Sequence, residues 1–333
     1  MLSSPPLVHW RARNALKAAI REFFNARNFL EVDTPILVPC PGSEVHLNYF
    51  ASSWQDYHKR EHQLWLRSSP ELHMKQVLAR EQCDIFQIAP CFRNGGEFSQ
   101  WHHPEFLMLE WYQCSGNFLG FIEQSYELLR FTQEKLASFL PAGCESLELG
   151  EGPLPKLTVS EAFLQFAGLE LHDGDPELAR QAKSRGIHSV NLNDDFETAF
   201  FKILLEKIEP ALEEIPVVAL YGYPPSQAAL AQVAGLSAER FEIYVSGIEL
   251  CNGFHELLDL AENRQRFRLS NAARQALGKE VPREDPGFWQ ALESGLPDSC
   301  GNALGLDRWL ALLLRETSLE RVIPFREQTY IIP

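Results

Sequence analysis

Apolar residues recur along this chain with the spacing of helices in some stretches and of strands in others. Over residues 8–27 they return every three or four positions, which predicts an amphipathic helix whose buried face carries Leu16, Ile20, Phe23 and Phe24. The pattern over residues 29–38 predicts extended chain. Ser69-Pro70-Glu71 then opens a short helix that continues through residues 75–79, because proline suits a first helical turn.

Residues 85–113 predict two strands joined by a long polar loop, with Arg93 at the end of the first strand. A period of two places one set of the second strand's side chains on one face, namely Phe106, Met108, Glu110 and Tyr112. A carboxylate and a phenol alternating with bulky apolar residues are costly there unless something polar binds. The alternative is a surface hairpin, which would leave the apolar neighbours of Glu110 and Tyr112 exposed. The pattern therefore favours a binding site on this face.

Beyond this hairpin the pattern becomes helical and predicts an insertion of helices over about residues 115–215. The predicted helices span 118–139, 159–166, 176–184 and 196–212, and a strand follows at 217–221. The insertion carries no motif of its own, so we interpret it as scaffold. Long helices that flank strands joined by hairpins indicate an α+β fold with an antiparallel sheet.

The composition is that of a large acidic globular protein. With 333 residues, 45% of them apolar, the chain can bury a large core in one or two domains. Its formal net charge of −15 disfavours a nucleic-acid partner, because binding to phosphates normally requires a basic surface. The seven cysteines include no C-x-x-C pair, which favours reduced thiols over a disulfide framework or a zinc site. Without a signal peptide or an apolar stretch of about 20 residues, we expect a cytoplasmic protein with no membrane contact.

Two acids late in the chain suggest a metal site. If the chain reverses around residues 245–247, Glu242 and Glu249 face each other across a hairpin. Like charges placed opposite one another destabilise a pair of strands. A bound Mg²⁺ would remove the conflict, because hard cations prefer oxygen ligands. The alternative is two solvated acids on an exposed hairpin.

Four segments, taken together, resemble the class II aminoacyl-tRNA synthetases, and specifically the lysyl branch. F-R-N…H-H-P-E-F…M-L-E-W-Y, within residues 92–112, resembles motif 2 of that family. Residues 21–37 are similar to motif 1, residues 247–257 to the lysine- and metal-binding strand, and residues 301–310 to motif 3. The segments follow the family's order from about residue 10 to residue 314. The resemblance implies one class II catalytic domain over residues 1–333, with an antiparallel β-sheet flanked by helices.

The resemblance also points to one branch of the family. Lysyl-tRNA synthetases carry an anticodon-binding barrel before motif 1, and here motif 1 begins too early for such a domain, so we expect none. This arrangement resembles the stand-alone paralogues that attach lysine, usually its β isomer, to elongation factor P. S-P-E-L-H-M-K at residues 69–75, N-G-F-H-E-L with His255, and Ala303 within motif 3 resemble those paralogues more than the tRNA enzymes.

The resemblance implies where ATP and its metal would bind. Arg93 would hold the amino-acid carboxylate and the α-phosphate, and Arg308 would hold the γ-phosphate, so both are expected catalytic residues. Glu242 and Glu249 would be the Mg²⁺ ligands. The expected ATP-binding residues are Arg93, Asn94, Glu97, His103, Phe106, Glu249, Leu250, Gly305 and Arg308.

For the amino acid, the resemblance implies a pocket rimmed by acids. Glu256 and Tyr112 would receive the ε-ammonium, and Glu71 and Glu110 the other amine, because a buried cation requires carboxylate partners. Arg93 and Asn252 would hold the carboxylate. The expected substrate-binding residues are Ser69, Glu71, Glu110, Tyr112, Asn252, Glu256 and Ala303.

Four positions in these motifs matter for specificity. Gly95 and Gly96 precede Glu97, which makes the motif 2 loop one residue longer than in the family, and His103 replaces an asparagine. Phe106 would stack on adenine, or else belong to the ordinary core. Ala303 replaces a glycine of the tRNA enzymes. One added methyl changes discrimination by about 1–3 kcal/mol, in a direction that the sequence leaves open.

The resemblance thus implies an ATP-dependent ligase. It would activate (R)-β-lysine or lysine as an adenylate and transfer it to the ε-amine of a specific lysine of elongation factor P. A homodimer is expected from motif 1, a lysine aminomutase is the expected functional partner, and tRNA is not an expected partner. Two alternatives are a truncated lysyl-tRNA synthetase and an inactive regulatory binding subunit. The retention of Arg93, Arg308, Glu242 and Glu249 argues against the inactive form.

Overall fold

The structure, a computed structural model, describes residues 6–95 and 99–325, so Glu97 lies outside the described residues. The helices are α1 (Leu7–Asn25), α2 (Glu71–Glu81), α3 (Phe118–Leu136), α4 (Val159–Ala162), α5 (Leu178–Ser184), α6 (Phe196–Ile203), α7 (Glu209–Leu212), α8 (Leu260–Ala276), α9 (Pro286–Ser294) and α10 (Leu306–Leu313). The strands are β1 (Leu30–Glu31), β2 (Leu37–Val38), β3 (Ala51–Gln55), β4 (Glu61–Leu66), β5 (Ile85–Phe92), β6 (Glu105–Gln113), β7 (Lys156–Thr158), β8 (Val217–Tyr223), β9 (Val233–Ala234), β10 (Ser237–Val245), β11 (Ile248–His255) and β12 (Cys300–Gly305).

These elements confirm the predicted α+β class, with strands flanked by helices. The predicted helix at residues 8–27 is α1, and the polar loop of motif 2 lies between β5 and β6. The helix predicted at 196–212 is interrupted by a wider π-helical segment, Leu204–Ile208, between α6 and α7. The antiparallel pattern is not complete, because β1 pairs with β5 and β7 with β8 in parallel.

The described residues fall into two compact units. The first consists of the described parts of Met1–Gly116, Glu127–Leu147 and Leu258–Pro333. The second consists of Asn117–Tyr126 and Glu148–Leu257, and so contains most of the predicted helical insertion together with β7 to β11. The assignment of all 333 residues to one synthetase-like domain stays a prediction.

The first unit contains a sheet with strand order β1-β5-β6-β12. One face of this sheet is apolar and packs against α1, whose Phe24 stacks on Phe86 of β5 with ring centroids 4.7 Å apart. Trp111 of β6 lies on the same side, 5.6 Å from Phe24. Because these large rings fill one face, the opposite face of β5 and β6 carries the remaining side chains, including Glu110 and Tyr112.

A buried arginine joins the chain after motif 1 to the strands of motif 2. Arg67, which is 2% exposed, follows β4 in a small sheet of order β2-β4-β3. Its guanidinium donates to the carbonyls of Thr34, Pro35 and Pro90, at 2.9, 3.3 and 2.9 Å, and to Thr34 Oγ1 at 2.8 Å. Thr34 in turn donates to Gln87 of β5 at 2.8 Å. Arg67 thus fixes β5, the strand that ends just before Arg93.

In the second unit the strand order is β11-β10-β8-β7, and β9 pairs with β10. Ser246 and Gly247 join β10 to β11, and both have positive φ, at 49° and 74°. This is the backbone that a two-residue hairpin turn requires, which confirms the predicted reversal at residues 245–247. Helices α4 to α7 pack on these strands around Phe163 and Phe200, whose rings stack with centroids 5.1 Å apart.

The seven cysteines are free thiols, as their spacing predicted. Among the described residues, none of the helices has both the length and the apolar character needed to cross a membrane.

We predict that Arg67→Met lowers the free energy of unfolding by about 3 kcal/mol, because it leaves buried carbonyls without a donor. Chemical denaturation followed by circular dichroism measures the change. The control is Arg80→Met at an exposed position on α2, which should alter stability by less than about 0.5 kcal/mol. Equal stabilities for Arg67→Met and the wild type would contradict the role given to Arg67.

Candidate active site

The predicted binding face of β6 exists and is buried. Glu110 and Tyr112 are each 3% exposed, and the Tyr112 hydroxyl donates to Glu110 Oε1 at 2.7 Å. The strand register places Gln87 of β5 on one side of Glu110 and Ala303 of β12 on the other. The alternative of a surface hairpin with Glu110 and Tyr112 facing solvent is therefore wrong.

Small residues on β12 keep this face open. Gly305, Ala303 and Gly301 lie opposite Met108, Glu110 and Tyr112 in the antiparallel register. Glycine and alanine add at most one methyl each, so the β6 side chains have room beside them. Ala303 and Phe106, both partly buried, pack against the buried cluster of Ala89, Cys91 and Met108. Phe106 is thus in contact with core residues, and its proposed adenine contact stays a prediction.

Glu71, at the start of α2, has a cation of the protein itself as its partner. Lys75 Nζ donates to Glu71 Oε1 at 2.6 Å, and Lys75 is only 3% exposed. Residues four apart on a helix are neighbours, so the pair follows from the E-x-x-x-K spacing. The Glu71 backbone N–H donates to Ser69 Oγ at 3.2 Å, which places both predicted residues together. A substrate amine at Glu71 would share its carboxylate with Lys75.

Glu44 is an acid near this pair that the sequence reasoning missed. Its Oε2 accepts a hydrogen bond of 2.8 Å from the Tyr49 hydroxyl. Loss of water around its carboxylate raises the pKa of Glu44, although the residue as a whole is exposed, and the charge of Glu71 raises it further. Tyr49 and Arg93 act in the opposite direction. Glu44 therefore adds an acid beside Glu71 and Arg93. It lies in the loop between β2 and β3, which carries neither a motif nor a periodic pattern that could have revealed it.

Arg93 lies just beyond β5, on the exposed rim. Its backbone N–H donates to the Pro104 carbonyl at 2.9 Å, which closes the base of the motif 2 loop. Its guanidinium carbon is 5.2 Å from the centroid of the Phe106 ring, a cation–π distance. Asn94 is held by its backbone N–H, which donates to the Asn48 carbonyl at 2.9 Å. Arg93 is thus oriented toward the β6 side chain that the sequence assigned to adenine.

Arg308 lies in the first turn of α10, as predicted, and is held by the motif 2 loop. Its Nε donates to the Trp101 carbonyl at 3.0 Å, and its Nη2 is 2.8 Å from His102 Nε2. A guanidinium has no acceptor, so His102 Nε2 must accept here. His103 is buried, with Nδ1 2.5 Å from the Glu105 carbonyl. Of the two histidines it is His102, which was not assigned to the site, that contacts Arg308.

Asp307 supports the position of Arg308 from the neighbouring residue. It is 4% exposed; its Oδ2 accepts from the Leu107 backbone N–H at 2.6 Å and its Oδ1 from Arg13 Nη2 at 2.5 Å. One carboxylate therefore links α10 to β6 and α1. The L-D-R order of the sequence could have suggested this residue. Neighbouring residues on a helix face different sides, so Asp307 could contact the fold while Arg308 faces the site.

In the second unit, three side chains surround the carboxylate of Glu242. Oε1 accepts from Arg240 Nη2 at 2.6 Å and from Asn252 Nδ2 at 3.1 Å, and Oε2 accepts from the Tyr244 hydroxyl at 2.8 Å. Burial alone would lower the pKa of Arg240, but the charge and hydrogen bond of Glu242, together with Tyr223 and Glu249, outweigh it and the pKa is raised. Burial, with Glu242 beside it, raises the pKa of Tyr244 well above its usual value, so Tyr244 stays protonated and donates.

The structure corrects the predicted arrangement of the two acids. The turn at Ser246 and Gly247 already places Glu249 opposite Tyr244, and a register shift of one residue between Ile243 and Tyr244 then places Glu242 opposite Asn252. The two acids therefore do not face each other directly. The bulge that causes the shift places the extra residue, Leu250, in a buried position next to Glu249.

The residues of this hairpin fit a divalent cation. A carboxylate offers about four lone-pair sites, and Glu242 accepts from three donors, Arg240, Tyr244 and Asn252. Glu249 is only partly buried and its charge acts on Arg240 and Tyr244. Two carboxylate oxygens suit Mg²⁺, which prefers few protein ligands and takes the rest from phosphates and water. Within residues 6–95 and 99–325 no group of three or more His, Cys, Asp or Glu could hold a metal.

The two remaining substrate residues of this unit lie at the end of β11. Asn252 Oδ1 is buried and has no hydrogen-bond partner among the described residues, while its Nδ2 donates to Glu242. Glu256 is 1% exposed and lies just after the strand. The first unit thus contains Ser69, Glu71, Arg93, Asn94, His103, Phe106, Glu110, Tyr112, Ala303, Gly305 and Arg308, and the second contains Glu242, Glu249, Leu250, Asn252 and Glu256. Their functional assignments stay predictions.

We predict that Glu242→Gln lowers the free energy of unfolding by about 3–5 kcal/mol, because it leaves the buried Arg240 charge without its counterion. The double variant Arg240→Met/Glu242→Gln should recover at least half of that loss in denaturant unfolding. The control is Glu177→Gln, which removes an exposed partner of Arg180 and should change stability by less than about 0.5 kcal/mol. Additive losses in the double variant would show that Arg240 and Glu242 do not depend on each other.

Comparisons with known proteins identify the family of this chain. Residues 8–329 match the family described as tRNA synthetases class II (D, K and N). An elongation factor P–(R)-β-lysine ligase of Haemophilus influenzae (strain PittGG) is 36% identical over 333 residues, covering 96% of this chain and 98% of that protein. Proteins of the same name from Edwardsiella ictaluri and Pasteurella multocida are each 35% identical, covering 97% and 94% of this chain and 96% and 93% of their own lengths. The match over nearly the whole chain means that it belongs to the class II tRNA synthetases of the D, K and N group.

Proposed function

We propose that this protein is an ATP-dependent ligase that attaches (R)-β-lysine, or lysine, to elongation factor P. The observation that carries the proposal is the buried Glu110–Tyr112 pair beside Ala303, in a chain similar over nearly its full length to proteins named as such ligases. A pair of hydrogen-bonded acidic and phenolic groups on an otherwise apolar strand is suited to an amine, because a buried ammonium requires a carboxylate.

The proposed first step forms an aminoacyl-adenylate. A carboxylate oxygen of β-lysine attacks the α-phosphorus of ATP, and the bond to the bridging oxygen breaks to release pyrophosphate. Arg93 holds the attacking carboxylate and the α-phosphate, because a guanidinium binds both with fixed geometry. Arg308, oriented by the Trp101 carbonyl and His102, binds the γ-phosphate. Mg²⁺ at Glu242 and Glu249 would supply charge neutralisation for the phosphates.

In the proposed second step the ε-amine of a lysine on elongation factor P attacks the adenylate carbonyl. The carbon–oxygen bond to AMP breaks, the amine loses a proton, and an amide forms. Glu71 and Glu110 hold one amine of β-lysine, and Glu256 with Tyr112 holds the other, so neither amine competes as the nucleophile.

Further features of this function are proposals as well. We propose that the enzyme works in the cytoplasm as a homodimer and that a lysine aminomutase supplies (R)-β-lysine. A dimer through the motif 1 region is supported by three large apolar residues that remain exposed there, Leu30, Ile36 and Leu37, at 49%, 41% and 46%. The net charge of −15 supports a protein acceptor over tRNA.

The experiment combines two assays on the purified protein with ATP and Mg²⁺. Exchange of radioactive pyrophosphate into ATP should require lysine or β-lysine, and Arg308→Ala should lower the exchange rate by about 10²-fold or more, because a transition-state contact is lost. The control Arg264→Ala removes an exposed partner of Glu293 and should leave exchange unchanged. Mass spectrometry after incubation with elongation factor P and with tRNA then identifies the acceptor. Labelled tRNA with unmodified elongation factor P would overturn the proposal.

We predict that Ala303→Gly shifts the preference between (R)-β-lysine and lysine. Ala303 lies opposite Glu110, so removing its methyl changes the space beside that carboxylate. The ratio of kcat/KM values for (R)-β-lysine and lysine in pyrophosphate exchange should change by about tenfold or more, the usual effect of one methyl in a pocket. An unchanged ratio would show that the methyl takes no part in selection.

A further inference from the structure

A chain of hydrogen bonds in the second unit ends at the backbone of Glu256. His255 Nδ1 is 2.5 Å from Glu239 Oε2, and His255 Nε2 is 3.1 Å from Gln232 Nε2. Gln232 Nε2 also donates to the Glu256 carbonyl at 3.0 Å. The four residues therefore form one sequence of contacts, from the Glu239 carboxylate through the imidazole and the amide to Glu256.

The donors and acceptors fix the protonation of the imidazole. Gln232 Nε2 has two hydrogens and no lone pair to offer, so it must donate to both the Glu256 carbonyl and His255 Nε2. His255 Nε2 then accepts, which leaves its proton on Nδ1, where the Glu239 carboxylate accepts it. The neutral tautomer of His255 with its proton on Nδ1 satisfies both partners.

The backbone around this chain is equally well ordered. The Gln232 N–H donates to the His255 carbonyl at 2.7 Å, and the Glu239 N–H donates to the Gln232 carbonyl at 2.9 Å. Ala231 and Glu256 form an antiparallel bridge, and the Leu257 N–H donates to the Leu230 carbonyl at 2.9 Å. Residues 230–232 therefore extend the end of β11 as an additional paired segment.

The position of Glu256 gives this arrangement its significance. Glu256 lies after the last residue of β11, beyond the regular ladder, and is 1% exposed. The backbone at the end of a strand lies outside the regular ladder of hydrogen bonds, so other contacts must fix it. The Gln232 amide and the bridge to Ala231 supply that restraint, and His255 holds the amide in place.

We propose that His255 and Gln232 are positioning residues for Glu256, and that they determine affinity for the amino-acid substrate. The inference depends on the proposed function, in which Glu256 receives an ammonium of lysine or β-lysine. His255 with Glu239 orients the Gln232 amide, and that amide fixes the main chain from which the Glu256 carboxylate extends. Removing the acceptor at Nε2 frees the amide to rotate, which weakens its restraint on the main chain of Glu256.

The test uses two substitutions of His255 that differ in which ring nitrogen they imitate. His255→Asn places an amide near Nδ1 and has nothing at Nε2, so the KM for (R)-β-lysine or lysine in pyrophosphate exchange should rise about tenfold. His255→Gln reaches the position of Nε2 with an oxygen that can accept from Gln232, so KM should stay within about threefold of the wild type. In both variants the KM for ATP and kcat should change by less than about twofold.

Gln232→Leu removes the amide that joins His255 to the Glu256 carbonyl. It should raise the amino-acid KM as much as His255→Asn does, and the double variant should be no worse than either, because both remove the same restraint. The matched control is His172→Asn, which changes a 74%-exposed histidine of the same unit. Thermal melts and circular dichroism establish that each variant is folded.

The outcomes separate this inference from the proposed function. If the wild type shows no exchange with either lysine isomer, the proposed function fails. If the wild type exchanges and both His255→Asn and Gln232→Leu are folded with an unchanged amino-acid KM, the inference is overturned. A parallel rise of the KM for ATP and the amino acid, or a loss in His255→Gln equal to that in His255→Asn, would show a general structural role and also overturn it.

Discussion

A carboxylate that folding removes from water needs a cation or several hydrogen-bond donors, and this chain meets that need with its own residues. Lys75 lies against Glu71, Arg240 against Glu242, and Arg13 against Asp307. Glu110 and Glu44 instead accept hydrogen bonds from the phenols of Tyr112 and Tyr49. These five acids are thus oriented before any ligand is present.

This arrangement suits the handling of a small dication. Carboxylates that are already fixed need no reorganisation when an ammonium arrives, and preorganised groups lose little conformational entropy on binding. The small residues Gly301, Ala303 and Gly305 on β12 keep space beside these acids, where larger side chains would fill it. The small β12 residues therefore leave room for a ligand beside the buried acids of β6. The apolar face on the other side of the sheet packs against α1.

The two motif arginines, Arg93 and Arg308, contact rings and a backbone carbonyl. Arg308 donates to the Trp101 carbonyl and to His102, and Arg93 lies near the ring of Phe106. A guanidinium binds phosphate and carboxylate oxygens with fixed geometry, which suits both residues to an anionic ligand. By contrast Arg67 and Arg240 are committed to interior contacts and serve the fold. The chemical environment, and not the residue type, separates these two uses of arginine.

Sequence alone determined the fold class, the two strands of motif 2, the hairpin turn at Ser246 and Gly247, and the burial of Glu110 and Tyr112. These follow from local periodicity and turn chemistry, which operate between residues close together in the chain. Only the tertiary structure decided that Glu242 lies opposite Asn252, because a single bulge shifts the register and leaves no periodic trace. It also brought Glu44 beside Glu71, Gln232 to His255 and Asp307 to Arg13. Contacts between residues distant in sequence depend on how the elements pack, and a local pattern of apolar and polar positions contains no information about that.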